Sequence, residues 1–118
     1  MDISQFKKEF MDEALKQSTV MNNSLNNLNS KTLVELSRAA HILKSSSATM
    51  GYEQIANLSK AMEETLNEII NKKMEITATI KNVLTESVNA LLDLIKVVRD
   101  DKKEKDVAEI VAKLKNII

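Results

Sequence analysis

The chain has 118 residues, with one glycine, one histidine and neither cysteine nor proline, and its 17 basic and 17 acidic residues balance. A balanced charge disfavours a nucleic-acid-binding protein, which needs an excess of Lys and Arg to displace counterions. Without cysteine there is no disulfide or thiolate metal site, and one histidine cannot supply the imidazoles of a typical catalytic zinc site. Abundant helix-forming residues and the lack of turn residues predict one all-α domain over residues 1–118.

Two helices are predicted in the first half of the chain. Apolar residues at helical spacing indicate a helix over residues 2–29, which we expect to begin at Asp2. A second helix is predicted over residues 32–50, because Thr32 and Glu35 have the spacing of a capping box. Short connections between such helices favour antiparallel packing.

Three more helices are predicted in the second half. The apolar spacing indicates helices over residues 52–71 and 77–99, and a shorter one over 102–117 that Asp101 and Glu104 would cap. Four long amphipathic helices with short loops predict an antiparallel up-down four-helix bundle, and the fifth helix is an additional C-terminal element. No apolar run reaches the length of a membrane span, so we expect a cytoplasmic protein.

The single histidine, His41, lies on the second predicted helix but away from its apolar face. At about 100° per residue, it falls roughly 130° from the centre of that face, which disfavours a core histidine. A solvated surface histidine stays open on spacing alone. The residues of the predicted core face are Leu33, Leu36, Ala40, Leu43, Ser47 and Met50.

The residues around His41 suit phosphoryl transfer. An acceptor imidazole needs one nitrogen with a free lone pair and the other held as an N–H donor. Glu63 on the third predicted helix could accept that hydrogen bond, and Lys44, one turn after His41, could stabilise a phosphoryl group. Arg38 and Lys60 could add to the local positive field.

Each of these residues also has an ordinary interpretation. Arg38 and Lys44 are typical solvated helix residues, and Glu63 would usually be a surface carboxylate. Antiparallel pairing lets the His41 and Glu63 flanks either converge or point apart, and spacing does not choose between them. The serine run 45–47 beside His41 lacks a strained turn and an oxyanion hole, which disfavours a serine hydrolase.

Residues 41–51, His-Ile-Leu-Lys-Ser-Ser-Ser-Ala-Thr-Met-Gly, resemble the H-x-L-K-G-S-S-A-T-M-G signature of histidine-containing phosphotransfer (Hpt) domains. The end of this segment is most similar to the N-terminal P1 domains of CheA chemotaxis kinases. Residues 10–14 and 58–63 resemble the opening helix and the glutamate helix of the family. The resemblance implies that His41 is the phosphoacceptor, that Glu63 hydrogen-bonds its ring, and that Lys44 assists the phosphoryl group.

The resemblance also implies the partners. A separate kinase domain, which uses ATP and Mg, would phosphorylate the histidine, and the group would pass to an aspartate of CheY-like or CheB-like response regulators. The chain would then be a phosphocarrier segment of a CheA-type kinase, a monomer in isolation without its own enzymatic cycle, cofactor, metal, nucleic acid or membrane. Two alternatives are a stand-alone Hpt protein of another phosphorelay and a helical interaction module that is not phosphorylated.

Two positions depart from the family pattern. Ser45 replaces the glycine that follows the motif lysine, where the missing side chain leaves space beside the ring. Lys60 replaces a second histidine that CheA domains often carry on the rim of the site, and it keeps a positive charge but cannot shuttle a proton near neutral pH. Both changes concern the rate of transfer and the choice of partner.

Overall fold

A computed structural model describes residues 3–117, so the predicted helix start at Asp2 lies outside the described residues. Five helices account for the regular structure of this part of the chain, and it contains no strand. The prediction of an all-α fold is confirmed. The helices are α1 (Ile3–Asn26), α2 (Ser30–Met50), α3 (Glu53–Asn71), α4 (Ala78–Arg99) and α5 (Ala108–Lys115).

The four long helices form a closed ring around one core. Helices α1 and α3 each pack against both α2 and α4, and α5 lies outside the ring against α3 and α4. Five of the six residues predicted for the core face of α2 are buried, and Met50 is half-buried against the same core. The largest fully buried side chains are Met21, Leu36, Leu43, Ile55, Leu58, Met62, Leu66, Ile69, Leu84, Val88, Leu91 and Leu114.

The start of α2 differs from the prediction. Asn29, not Thr32, is the N-cap: its side chain accepts hydrogen bonds from the backbone N–H groups of Lys31 and Thr32. The Thr32 hydroxyl in turn accepts a hydrogen bond from the Asn29 backbone N–H at 2.8 Å. The predicted capping box of Thr32 and Glu35 is therefore wrong by one turn, because an asparagine with extended backbone satisfies the first N–H groups. For the same reason α1 ends earlier than predicted, at Asn26.

The predicted end of α2 at Gly51 and the predicted cap of α4 at Thr77 both agree with the structure. Gly51 follows α2 with φ of 75°, in the left-handed region that glycine adopts without steric cost. Thr77 caps α4, and its hydroxyl accepts a hydrogen bond from the backbone N–H of Ile80 at 3.2 Å.

The prediction for the fifth helix is wrong at its start, which lies at Ala108 instead of 102. Glu104 does not cap this helix. Its carboxylate accepts hydrogen bonds from the backbone N–H groups of Gln54 at 3.3 Å and Ile55 at 2.8 Å, at the start of α3. The side chain of Tyr52, the N-cap of α3, forms no hydrogen bond with the first turn of its helix. The carboxylate of Glu104, from the loop before α5, therefore takes the place of a local cap.

The segment between α4 and α5 is a loop that is fastened to α3. The Gln54 side chain accepts a hydrogen bond from the Val107 backbone N–H at 3.3 Å, and Val107 is buried. Asp101 has a φ of 58° and forms an ion pair with Lys7 of α1.

None of the helices in residues 3–117 is both long and apolar enough to cross a membrane.

Replacing Glu104 with alanine removes the cap of α3 that is supplied from outside the helix. We expect Glu104→Ala to lower the free energy of unfolding by about 1–2 kcal/mol, the usual cost of losing an N-terminal cap. Urea unfolding followed by circular dichroism would measure this change. The control is Lys103→Ala, at an exposed neighbouring position without such a contact. Equal stability of the two variants would contradict the capping role of Glu104.

Candidate functional site

The candidate site lies on the outer surface of the α2–α3 pair. His41 stands near the middle of α2 and is solvent-accessible, with 57% of its side chain exposed. Glu63 stands near the middle of α3 and is largely covered, with 16% of its side chain exposed. The core faces of both helices point into the bundle, so each residue lies on the flank that borders the other helix.

One carboxylate joins the site together. Glu63 Oε2 lies 2.6 Å from His41 Nδ1, and Glu63 Oε1 lies 2.6 Å from Lys44 Nζ. The two flanks, whose relation was open from spacing alone, therefore converge. Lys44 is one turn from His41 on α2, so both donors reach the same carboxylate from one helix.

The charge state of Glu63 follows from these contacts. Burial raises the pKa of Glu63, but the hydrogen bonds from Lys44 and His41, together with their positive charges, hold it below the ordinary value of 4.5. The carboxylate is therefore ionised at neutral pH and acts only as an acceptor. A neutral His41 must then carry its proton on Nδ1, which leaves the lone pair on Nε2.

The Nε2 atom of His41 is the ring nitrogen that this arrangement leaves free. Among residues 3–117, no side chain or backbone group forms a hydrogen bond with it. An exposed imidazole nitrogen with its tautomer fixed from the opposite side has the lone pair and the accessibility that a nucleophile needs. No cluster of three or more His, Cys, Asp or Glu side chains suited to a metal ion occurs in the described part of the chain.

The remaining predicted site residues do not join this network of hydrogen bonds. Arg38, Ser45 and Lys60 are exposed, and within the described residues neither Arg38 nor Lys60 forms an ion pair. Lys60 also lines a groove between α3 and α5, where Glu64 and other charged side chains lie.

The serine run does not pair with His41. The Ser47 hydroxyl donates to the backbone oxygen of Leu43 at 2.5 Å, within α2. Across residues 3–117, the hydrogen-bond partner of the His41 ring is Glu63, and no serine hydroxyl approaches it as a nucleophile would approach its base.

A second polar pair, which the sequence pattern did not predict, lies beside the site. The Ser37 hydroxyl donates a hydrogen bond to Asn67 Oδ1 at 2.8 Å. Ser37 is four residues before His41 and Asn67 is four residues after Glu63, so helical spacing alone would have placed both on the converging flanks. This spacing predicts a contact between Ser37 and Asn67 only when the two flanks are known to face each other.

Comparison with known proteins identifies the family of the chain. The Hpt domain family matches residues 5–101, which cover α1 to α4 and stop before α5. The chain is 33% identical to the chemotaxis protein CheA of Bacillus subtilis over 97% of its length, and this match covers 18% of that relative. It is 34% identical to CheA of Listeria monocytogenes over 64% of the chain and 13% of the relative.

A more distant relative is the sensor histidine kinase CheAY of Helicobacter pylori, which is 25% identical over 98% of the chain and 16% of its own length. The chain thus spans less than a fifth of the length of these curated relatives. The family match covers well over half of the chain and includes both helices of the site. The chain belongs to the Hpt family of histidine-containing phosphotransfer domains.

Proposed function

We propose that His41 is the phosphoacceptor of a phosphotransfer domain in chemotaxis signalling. An ATP-binding kinase domain would phosphorylate Nε2, and an aspartate of a response regulator would then take the phosphoryl group. The observation that carries this proposal is the hydrogen bond between His41 Nδ1 and Glu63, which leaves Nε2 exposed with its lone pair. Similarity to proteins described as chemotaxis protein CheA supports the signalling context.

The chemistry at His41 follows from its proton arrangement. The Nε2 lone pair would form a bond to the γ-phosphorus of ATP as the bond to the bridging oxygen breaks and ADP leaves. The ring keeps its proton on Nδ1 and gains positive character, which the Glu63 carboxylate offsets. In the second transfer, a carboxylate oxygen of the regulator would attack the same phosphorus, and the imidazole would leave in its original neutral form.

Lys44 is the cation best placed to assist. Its Nζ is held at 2.6 Å from Glu63 Oε1, and its long side chain is one-third exposed. A phosphoryl group on Nε2 would carry close to two negative charges, so the neighbouring ammonium would lower its energy. Arg38 and Lys60 would add a weaker field from the rim, because both are exposed to water.

The kinase reaction would need a second domain. We propose that the chain is a phosphocarrier segment of a CheA-type kinase, since its relatives are several times longer. The kinase domain would supply ATP and Mg, and CheY-like and CheB-like regulators would receive the phosphoryl group. Because ATP is a cytoplasmic substrate, we propose that the segment works in the cytoplasm.

The decisive experiment is phosphorylation of the chain by an active CheA-type kinase domain with ATP and Mg. We expect one acid-labile phosphoryl group on the wild-type chain by intact mass, and none on His41→Gln, because glutamine lacks the nucleophilic nitrogen. Unfolding curves of both proteins would confirm that the variant is folded. An unmodified wild-type chain beside an active kinase would reject the acceptor role and favour an interaction module.

Removing the Glu63 carboxylate tests its role in holding the ring. We expect Glu63→Gln to slow phosphorylation by about tenfold, the lower end of the cost of losing a carboxylate that orients a histidine. The control is Glu64→Gln, which changes the same charge at an exposed position without an ion pair in the described structure. Equal rates for the two variants would contradict the orienting role.

The lowered pKa of Glu63 also predicts a pH dependence of stability. A carboxyl whose pKa falls on folding stabilises the protein fully above its ordinary value of 4.5, and this contribution is lost as the pH falls through the pKa of the folded state. Urea unfolding of wild type and Glu63→Gln should therefore show a difference in stability at neutral pH that shrinks on acidification to about pH 3. A difference that stays constant over this range would contradict the ionic contribution.

Ser45 offers a test of access to the ring. Its exposed side chain lies one turn after His41, where the family carries glycine. We expect Ser45→Gly to speed transfer from the phosphorylated chain to a response regulator, while the added helical glycine lowers stability by about 0.5 kcal/mol. Ser46→Gly is the matched control, since it carries the same helix cost at a half-buried position. An unchanged or slower transfer in Ser45→Gly would show that the serine does not crowd the ring.

A further inference from the structure

The hydrogen bond between Ser37 and Asn67 lies one helical turn from the site on both helices. Ser37 Oγ and Asn67 Oδ1 are 2.8 Å apart, and His41 Nδ1 and Glu63 Oε2 are 2.6 Å apart. Because α2 and α3 run antiparallel, the residue one turn before His41 faces the residue one turn after Glu63. The two pairs are therefore adjacent polar contacts across the same helix interface.

These contacts differ from the rest of the α2–α3 interface. In the described structure, three side-chain hydrogen bonds connect the two helices, and two of them end on Glu63. The apolar core beneath them, which includes Leu36 and Leu43, sets the overall packing of the two helices but makes no hydrogen bond that could orient Glu63 toward His41. The Ser37–Asn67 pair is the directional contact that is independent of Glu63.

Register matters at this site because the His41–Glu63 contact is short. A shift of α3 by the rise of one residue moves its side chains about 1.5 Å along the helix axis. Lys44 can follow a displaced carboxylate through its flexible four-carbon chain, so its contact does not hold the register. The imidazole has a much shorter reach. Ser37 is 9% exposed while Asn67 is exposed, so the hydroxyl side of this hydrogen bond is shielded from water and the amide side is not.

We propose that Ser37 and Asn67 are positioning residues that hold α3 in the register at which Glu63 meets His41 Nδ1. The proposal rests on the proposed function, because it concerns the nitrogen that would accept the phosphoryl group. When the pair is lost, α3 moves relative to α2 and Glu63 no longer holds the proton on Nδ1. A larger share of the molecules then carries the proton on Nε2, where the lone pair is needed.

The test uses the fact that the chain has one histidine. Nitrogen NMR of the protein labelled with ¹⁵N-histidine reads the proton position on His41 without ambiguity, at a pH where the ring is neutral. We expect Nδ1–H to dominate in wild type, and Ser37→Ala and Asn67→Ala to raise the Nε2–H share by roughly threefold or more, as for coupled neighbouring residues. Ser37→Thr keeps the hydroxyl, so this variant should keep the wild-type tautomer.

The matched control is Ser46→Ala, the same substitution on the same helix at a half-buried serine without an interhelical hydrogen bond in the described structure. This substitution removes a serine hydroxyl from α2 without breaking a contact to α3, so it should leave the tautomer unchanged. A wild-type tautomer in both Ser37→Ala and Asn67→Ala would overturn the proposal, and so would an equal shift in Ser46→Ala.

Phosphorylation rates provide the second measurement. With an active kinase domain, the phosphorylation rates of Ser37→Ala and Asn67→Ala should fall by the same factor as the share of molecules that carry the proton on Nδ1. A shifted tautomer with an unchanged rate would overturn the link to reactivity. The NMR measurement needs no kinase, so a wild-type chain that is never phosphorylated would reject the proposed function and leave the register result standing by itself.

Discussion

The site depends on a single carboxylate that two donors share. Glu63 accepts from His41 through one oxygen and from Lys44 through the other, so the position of both side chains is set by one group on the neighbouring helix. Burial alone would favour the neutral acid, but the two donors keep the carboxylate ionised. An ionised acceptor is also what decides which ring nitrogen carries the proton, and therefore which nitrogen is free.

The position of that carboxylate depends in turn on how α2 and α3 are joined. Gly51 ends α2 in the left-handed conformation, and α3 begins two residues later. The first turn of α3 is completed by Glu104 from the loop before α5, which covers N–H groups that the local sequence leaves unsatisfied. The C-terminal segment thus stabilises the helix that carries Glu63, although it contributes no side chain to the contacts of His41.

Much of the fold could be predicted from the sequence because helix formation and burial leave a local pattern. The spacing of apolar residues indicated five helices and the buried face of α2, and a left-handed glycine marked the end of that helix. The helix starts were harder. Asn29 and Thr32 are both residue types that can act as the N-cap of α2, and the structure uses Asn29. The cap of α3 comes from Glu104, about fifty positions away, which no local pattern can reveal.

The sequence by itself determined the chemistry that is available: one imidazole outside the core face, a cation one turn away and a carboxylate on the next helix. It also determined the helices on which they stand. Helical spacing left open whether the flanks of His41 and Glu63 converge, as the family resemblance implied, and only the tertiary structure shows this contact and the meeting of Ser37 and Asn67 beside it. The physical reason is that helical spacing specifies the angle of a side chain around its own axis, whereas the packing of the whole bundle sets the relative rotation and register of two helices.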